Sequence, residues 1–285
     1  MNSYKIFLKI IVFSISISLL FCDKNDKDKK ETYSEANSSH REENTVYLAT
    51  LGWLPYVGEE LKDSGYGYAY QLQEEAFKAV GINVKIQFYP FARIFILLNE
   101  GAIDGYFPEY YSEDYLKDFA FTDPYPGGDV GFLVKKNRNF DFSTEENMSN
   151  FKSLNGLTVG VVRGYINTKA FDSSTDFIKE ESGSDYGNIK KLLYNRIDAI
   201  FIDRNVGNYT IGANLEKEFP GSKNKFHFIE PALENKELYT CFSRKSKNYN
   251  KYIKKFNEGL QILKKEGKLD EILRRNNFEN GIYGG

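Results

Sequence analysis

The stretch Tyr89–Tyr125, YPFARIFILLNEGAIDGYFPEYYSEDYLKDFAFTDPY, decides how the chain is read. Phe91–Asn99 reads as a helix that ends near Gly101, and Ile103–Tyr106 reads as a short strand directly after it. Aromatic rings surround one Arg, one Asp-Gly and one Asp-Pro, with no nucleophile and no metal-ligand cluster among them. Apolar walls with a few placed charges are what a small-molecule pocket needs. The aromatic core of an ordinary α/β domain would look the same locally, so the flanking pattern has to separate the two.

Upstream, Thr45–Thr50 is a β-rich run broken by the loop Gly52-Trp53-Leu54-Pro55-Tyr56. Residues 67–80 place Ala69, Leu72, Ala76 and Val80 at helical spacing, with Gly81 as a C-cap, and Val84–Phe88 alternates as a strand. Strand, helix, strand, helix, strand indicates a parallel sheet with crossover helices. Ligands of such sheets bind beyond the carboxyl ends of the strands, where Trp53, Tyr56 and the residues after Tyr106 fall. Downstream, Gly131–Lys135 is a strand, Lys136–Asn150 a polar interval and Thr158–Val162 a strand. Arg163-Gly164-Tyr165 then turns into a helix through Phe171. Asp176–Lys179 reads as a strand, Tyr186–Asn195 as a helix, Ile197–Ile202 as a buried strand, and Asp203 opens a helix to about Lys217. Lys225–Glu230 and Leu238–Ser243 are again strands. Tyr252, Phe256, Leu260 and Leu263 share one helical face, and Gly267 separates them from a last short helix, Leu269–Leu273. The two βαβ halves, 45–106 and 157–202, read as two lobes.

The 285 residues carry a net charge of −2 and are 41% hydrophobic. That suits one large or two small cores and gives no basic footprint for nucleic acid. Lys5 and Lys9 precede an apolar run, Ile10–Phe21, that ends at Cys22. The run is too short for an ordinary transmembrane helix and fits a secretory signal. It resembles a bacterial lipoprotein signal, cut before a Cys that then carries lipid; Phe21 departs from the small residue usual at that place. A plain secretory signal and an uncleaved anchor are the other readings. Residues 23–44 are polar and mixed in charge, as in a disordered tether, and His40 within them has no site role. With Cys22 lipidated, Cys241 is left without a disulfide partner, and its strand context fits a small buried hydrophobe. His227 reads as structural.

Trp53-Leu-Pro-Tyr56, Tyr89-Pro-Phe-Ala-Arg93, Gly101-Ala-Ile-Asp104 and Phe121-Thr-Asp-Pro-Tyr125, in that order, resemble the first lobe of extracellular solute-binding proteins of the polar-amino-acid group, which serve ABC transporters. Leu154-Asn-Gly-Leu-Thr-Val-Gly-Val-Val-Arg-Gly164 resembles the opening of their second lobe. Arg196-Ile-Asp198-Ala199…Asp203 and the Leu260–Leu273 segment resemble later motifs. The resemblance covers about 45–276. It implies a two-lobed, periplasmic-binding-protein-like (type II) α/β fold, each lobe a mostly parallel sheet flanked by helices, joined by two hinge strands and closing on a solute. Residues 1–21 are then a signal peptide and 22–44 a tether. Residues 45–135 with 237–285 form the first lobe and 136–236 the second, with crossings near Lys135–Arg138 and Glu230–Glu237. A monomer handing solute to an ABC permease is implied, with no cofactor and no metal.

The resemblance also distributes candidate site residues. Trp53 would stack a ring on the ligand, with Tyr56 beside it; both could equally anchor their loop. Arg93 suits a carboxylate, or an ion pair with Glu109 or Asp104. Phe107, Pro108 and Glu109 occupy the ammonium-binding loop, where Glu109 is an acceptor or a solvated acid. Tyr115 stands where the family carries the Arg that clamps the α-carboxylate, and a Tyr cannot replace a bidentate salt bridge. Arg163, Gly164 and Tyr165 form the turn that would hold a ligand carboxylate. Asp203 matches the ammonium acceptor of the second lobe and would also cap the following helix. Asp104 and Asp198, at matching places in the two halves, read as structural. Two other classes remain open: an enzyme resembling cyclohexadienyl dehydratases, with Glu109 as the one fair acid or base, and a sensory module presenting ligand to a receptor.

Overall fold

A computed structural model describes residues 41–141, 150–279 and 282–284. The signal segment, Cys22, His40 and most of the tether lie outside the described residues. Among the described residues no helix is long and apolar enough to cross a membrane.

The first lobe is built from β1 (Thr45–Thr50), α1 (Tyr68–Ala79), β2 (Asn83–Phe88), α2 (Phe91–Glu100), β3 (Gly105–Tyr110) and β4 (Phe119–Phe121). β1 lies between β2 and β3, parallel to both. The chain crosses on β5 (Tyr125–Lys135) and enters the second lobe: β6 (Thr158–Val162), α3 (Lys169–Ser173), β7 (Ile178–Ser182), α4 (Asp185–Leu193), β8 (Ala199–Asp203), α5 (Arg204–Tyr209) and β9 (Phe226–Phe228). β6 lies between β7 and β8, again parallel to both. It returns on β10 (Glu234–Ser243) and finishes with α6 (Tyr249–Lys265), α7 (Lys268–Arg275) and the small hairpin β11 (Phe278–Glu279) and β12 (Ile282–Tyr283). The main sheet runs β2-β1-β3-β10-β5-β8-β6-β7, so the antiparallel pair β5–β10 joins two parallel halves.

The two halves share a local device that explains the repeated Ile-Asp. The Asp104 carboxylate accepts the Tyr47 N–H at 3.0 Å, and the Asp104 N–H donates to the Tyr47 carbonyl. Asp198 and Thr158 make the same reciprocal pair in the second lobe. Each Asp thus fixes the entry of its lobe's central strand. Arg41 and Arg138, not Arg93, neutralise these two carboxylates. The core faces follow from the helical spacing: Ala69, Leu72, Ala76 and Phe77 of α1 pack with Tyr252, Phe256, Leu260 and Leu263 of α6. Cys241 is a free, buried thiol on β10.

Several elements differ from expectation. β3 continues through Phe107–Tyr110, so these residues are strand and not loop. Pro108 is tolerated because β10 shifts register between Tyr239 and Cys241, opposite that proline. β4 is added. β5 begins at Tyr125, well before Gly131, because Gly127 and Gly128 let two strands approach closely. It keeps β10 as a partner as far as Val130 and pairs with β8 from Val130 to Val134. The helix after Asp203 widens into a π stretch at Thr210–Leu215 before its last turn.

A Cβ on Gly127 would stand 1.9 Å from the Lys236 carbonyl oxygen across the strand pair. Backbone cannot yield as a side-chain tip can, so Gly127→Ala should destabilise the protein by about 1–3 kcal/mol or more. Urea unfolding of the two proteins would show this as a lower midpoint.

Candidate functional site

The C-terminal ends of β1, β3, β6 and β8 face one another across β5 and β10. Two layers of side chains meet there. The deeper layer is a seam between the lobes. Tyr56, in the loop after β1, donates its hydroxyl to Asp203 Oδ2 at 2.8 Å, and Tyr110, at the end of β3, donates to the same oxygen at 3.0 Å. Asp203 Oδ1 accepts the Val206 N–H at 3.0 Å and so caps α5. Asn205 Nδ2 donates to the Tyr56 hydroxyl oxygen, and Asn205 Oδ1 accepts the Tyr283 N–H of the C-terminal hairpin. Gly128 makes the convergence possible, since a Cβ there would meet Tyr56, Asn205 and Asp203 atoms at 2.5–2.8 Å. Lys236 of β10 lies over the Tyr110 ring at 4.3 Å and donates to the Asn167 carbonyl of the second lobe.

Above the seam is a cleft of about 620 Å³. Trp53, Tyr89 and Phe91 wall it from the first lobe; Arg163, Tyr165, Asp185 and Thr210 wall it from the second. The Trp53 ring stands edge-on to Tyr165 at 6.3 Å and to Tyr110 at 5.4 Å, and lies 4.9 Å from Tyr56. Tyr165 reaches Asp185 Oδ2 at 3.4 Å. The Arg163 guanidinium points outward, 75% exposed, and pairs with Glu181 at 2.7 Å.

Three carboxyl groups at this junction hold protons more tightly than usual. Burial pushes Glu109 up to about 7, against the Tyr110 N–H, the Tyr106 hydroxyl and the Lys236 charge, which pull it down. Burial, together with the Asp203 charge, pushes Asp185 up to about 7. Burial pushes Asp203 up to about 6, although Val206 and the two tyrosines stabilise its ionised form. Burial lowers Lys236.

Of the residues expected at the site, Trp53, Arg163 and Tyr165 line the cleft. Tyr56 and Asp203 meet in the seam beneath it. Glu109 bonds to Tyr106 and to the Tyr110 N–H on β3, and Phe107 is wholly buried in the core. Tyr115 packs on Phe95 and Phe119, away from the cleft, and burial pushes its hydroxyl up to about 12. Arg93 is exposed on α2, with no side-chain partner among the described residues and no place in the cleft wall. The Arg163–Tyr165 turn does not enter a helix directly: residues 165–168 are irregular, and α3 starts at Lys169 with Thr168 as its cap. Sequence reasoning missed Tyr110, Asp185, Asn205 and Lys236. Ser184-Asp185 carries a helix-start signature, which is a local signal and says nothing of the cleft. No group of His, Cys, Asp and Glu among the described residues is arranged to hold a metal.

The chain belongs to the bacterial extracellular solute-binding proteins, family 3, which it matches over residues 50–279. Its structure is similar to the GluR0 ligand-binding core from Nostoc punctiforme in complex with L-glutamate, at 17% identity over 81% of this chain and 98% of that one, TM-score 0.64. It is similar to a histidine kinase sensor domain that itself resembles periplasmic binding proteins, at 17% identity over 81% and 95%, TM-score 0.66. A third is AbpA, an amino acid ABC transporter substrate-binding protein from Streptococcus pneumoniae bound to L-arginine, at 16% identity over 85% and 97%, TM-score 0.61. At these identities the likeness carries the fold. No curated protein matches the sequence.

The raised Glu109 has a defined consequence for stability. As pH rises, the unfolded chain releases this proton near the ordinary 4.5, while the folded chain holds it to about 7. Its contribution is therefore full below 4.5 and is lost as pH rises through about 7. Glu109→Gln keeps the neutral form at every pH. Thermal unfolding should find the variant more stable than wild type at pH 8, by about 1–3 kcal/mol, and little different at pH 5.

Proposed function

We propose that this chain is an extracytoplasmic solute-binding lipoprotein. It captures a small polar molecule, amino-acid-like or amine-containing, and delivers it to an ABC permease. The observation that carries this reading is the cleft itself: Trp53 and Tyr165, from opposite lobes, meet edge-on at 6.3 Å and line a space of about 620 Å³ bordered by Asp185. A solute touching both walls favours the closed form by its extra contacts, and closure is a population shift about β5 and β10. We place the hinge near Gly128–Val130 and Glu234–Lys236, where the strands exchange partners. Glu109, the acid or base that the sequence offered for an enzyme, is engaged by Tyr106 and Tyr110 and is absent from the cleft wall, which favours binding over turnover. Presentation of the solute to a receptor would use the same cleft, and the likeness to a kinase sensor domain supports it as the second reading.

Trp53 is the single tryptophan of the chain and lines the cleft, so its fluorescence reports occupancy directly. In a screen of amino acids, amines, small carboxylates and sugars, a true solute should change this emission and raise the unfolding midpoint by mass action. Trp53→Ala should weaken that solute by about tenfold or more. Failure of every class to bind would remove the binding-protein reading. The lipid anchor has its own test. Cys22→Ser should move the protein out of the membrane fraction; an unchanged distribution would point to a plain secreted form or an uncleaved anchor.

A further inference from the structure

The two acids of the second lobe that face the first differ in what already holds them. Asp203 is committed: Oδ1 accepts the Val206 N–H, and Oδ2 accepts the Tyr56 and Tyr110 hydroxyls. It does not line the cleft. Asp185 does, and the side-chain contact recorded for it is the long one from Tyr165, at 3.4 Å. A half-buried carboxylate beside the Trp53 and Tyr165 rings is a cation-binding environment, because the ring faces attract the same charge that the carboxylate does.

The other charges of the cleft point the same way. Among the described residues lining it, the acids are Glu59, Glu60 and Asp185, and the one cation is Arg163. Arg163 is turned outward and neutralised by Glu181. Of the groups that the sequence offered for a ligand carboxylate, Arg93 is exposed elsewhere, Tyr115 is packed on Phe95 and Phe119, and α3 begins too late for its first N–H groups to follow the Arg163–Gly164 turn.

We propose that Asp185 receives the cationic group of the solute, that Asp203 serves as a latch between the lobes, and that the solute is an amine whose binding needs no carboxylate. This rests on the binding-protein reading and narrows it. Asp185 and Asp203 thereby divide two roles that one carboxylate could not fill together, since the tyrosine hydroxyls occupy the oxygen that a cation would need.

The test is calorimetric titration of the full chain with two matched pairs, L-lysine with cadaverine and L-arginine with agmatine, in which each partner differs by the carboxylate alone. The amine of a pair should bind at least as tightly as its amino acid. Asp185→Asn should weaken the amine by about ten- to a hundredfold without lowering the unfolding midpoint, and Asp185→Glu should restore most of the affinity. Asp203→Asn should lower the unfolding midpoint and weaken all bound probes by a similar factor. The proposal is overturned if an amino acid binds and its decarboxylated partner does not, or if Asp185→Asn leaves amine affinity within about twofold. It is also overturned if a sugar or a simple carboxylate proves to be the solute, which would leave the binding-protein reading standing. Absence of binding by any class overturns both.

Discussion

The Asp203 carboxylate, held by two tyrosine hydroxyls from the opposite lobe, is the contact on which the arrangement of this molecule turns. A buried carboxylate costs several kcal/mol unless its lone pairs are satisfied, so its donors must be in place together. The Val206 N–H comes from the start of α5; Tyr56 comes from the loop after β1; Tyr110 comes from the end of β3. Those three requirements fix the carboxyl ends of three strands relative to one another. They also explain why β5 is bare at Gly128, where any side chain would occupy the space in which Tyr56, Asn205 and Asp203 meet. The C-terminal hairpin adds a brace: Phe278 stacks on Tyr56 at 5.4 Å, Tyr283 packs on Tyr209 at 5.6 Å, and the Tyr283 N–H bonds to Asn205.

Above that seam, electrostatics and shape are coupled. Removing water from Asp185, Asp203 and Glu109 pushes all three toward the neutral form, and the charge of Asp203 adds to the effect on Asp185. A cation entering beside Asp185 would relieve that cost by supplying the missing counter-charge. Arg163, the one cation among the described lining residues, is turned outward and already paired with Glu181, so it competes little for that carboxylate. Binding of such a cation would therefore be coupled to the ionisation of Asp185, whose proton burial holds more tightly than usual.

The sequence was most informative where structure is decided locally. The apolar spacing of α1 and α6, the alternation of β2 and the repeated Ile-Asp at Asp104 and Asp198 each depend on near neighbours, and the last pair does the same structural job in both lobes. Order and spacing of those elements sufficed for a two-lobed α/β fold. It was least informative where two distant strands meet. Gly127 and Gly128 carry no side chain to announce a strand, yet Gly127 is the close contact between β5 and β10. Pro108 reads as the end of a strand but sits opposite a shift of register in β10. Site residues divide along the same line. Trp53 and Tyr165 line the cleft, and each follows a strand at its carboxyl end, which is a local signal. Asp185 and Asp203 both stand at helix starts, and no local signal tells which faces the cleft and which the tyrosines. Arg93 carries a chemistry that suits a ligand, yet its side of α2 faces solvent.

The measurement that bears most directly on this account is a crystal structure of the chain with an amine captured from the calorimetric panel. The account predicts the amine nitrogen beside Asp185, its carbon chain against the Trp53 and Tyr165 rings, and the hydrogen bonds from Tyr56 and Tyr110 to Asp203 intact beneath it. An amine that displaces those two hydroxyls and bonds to Asp203 itself would contradict it.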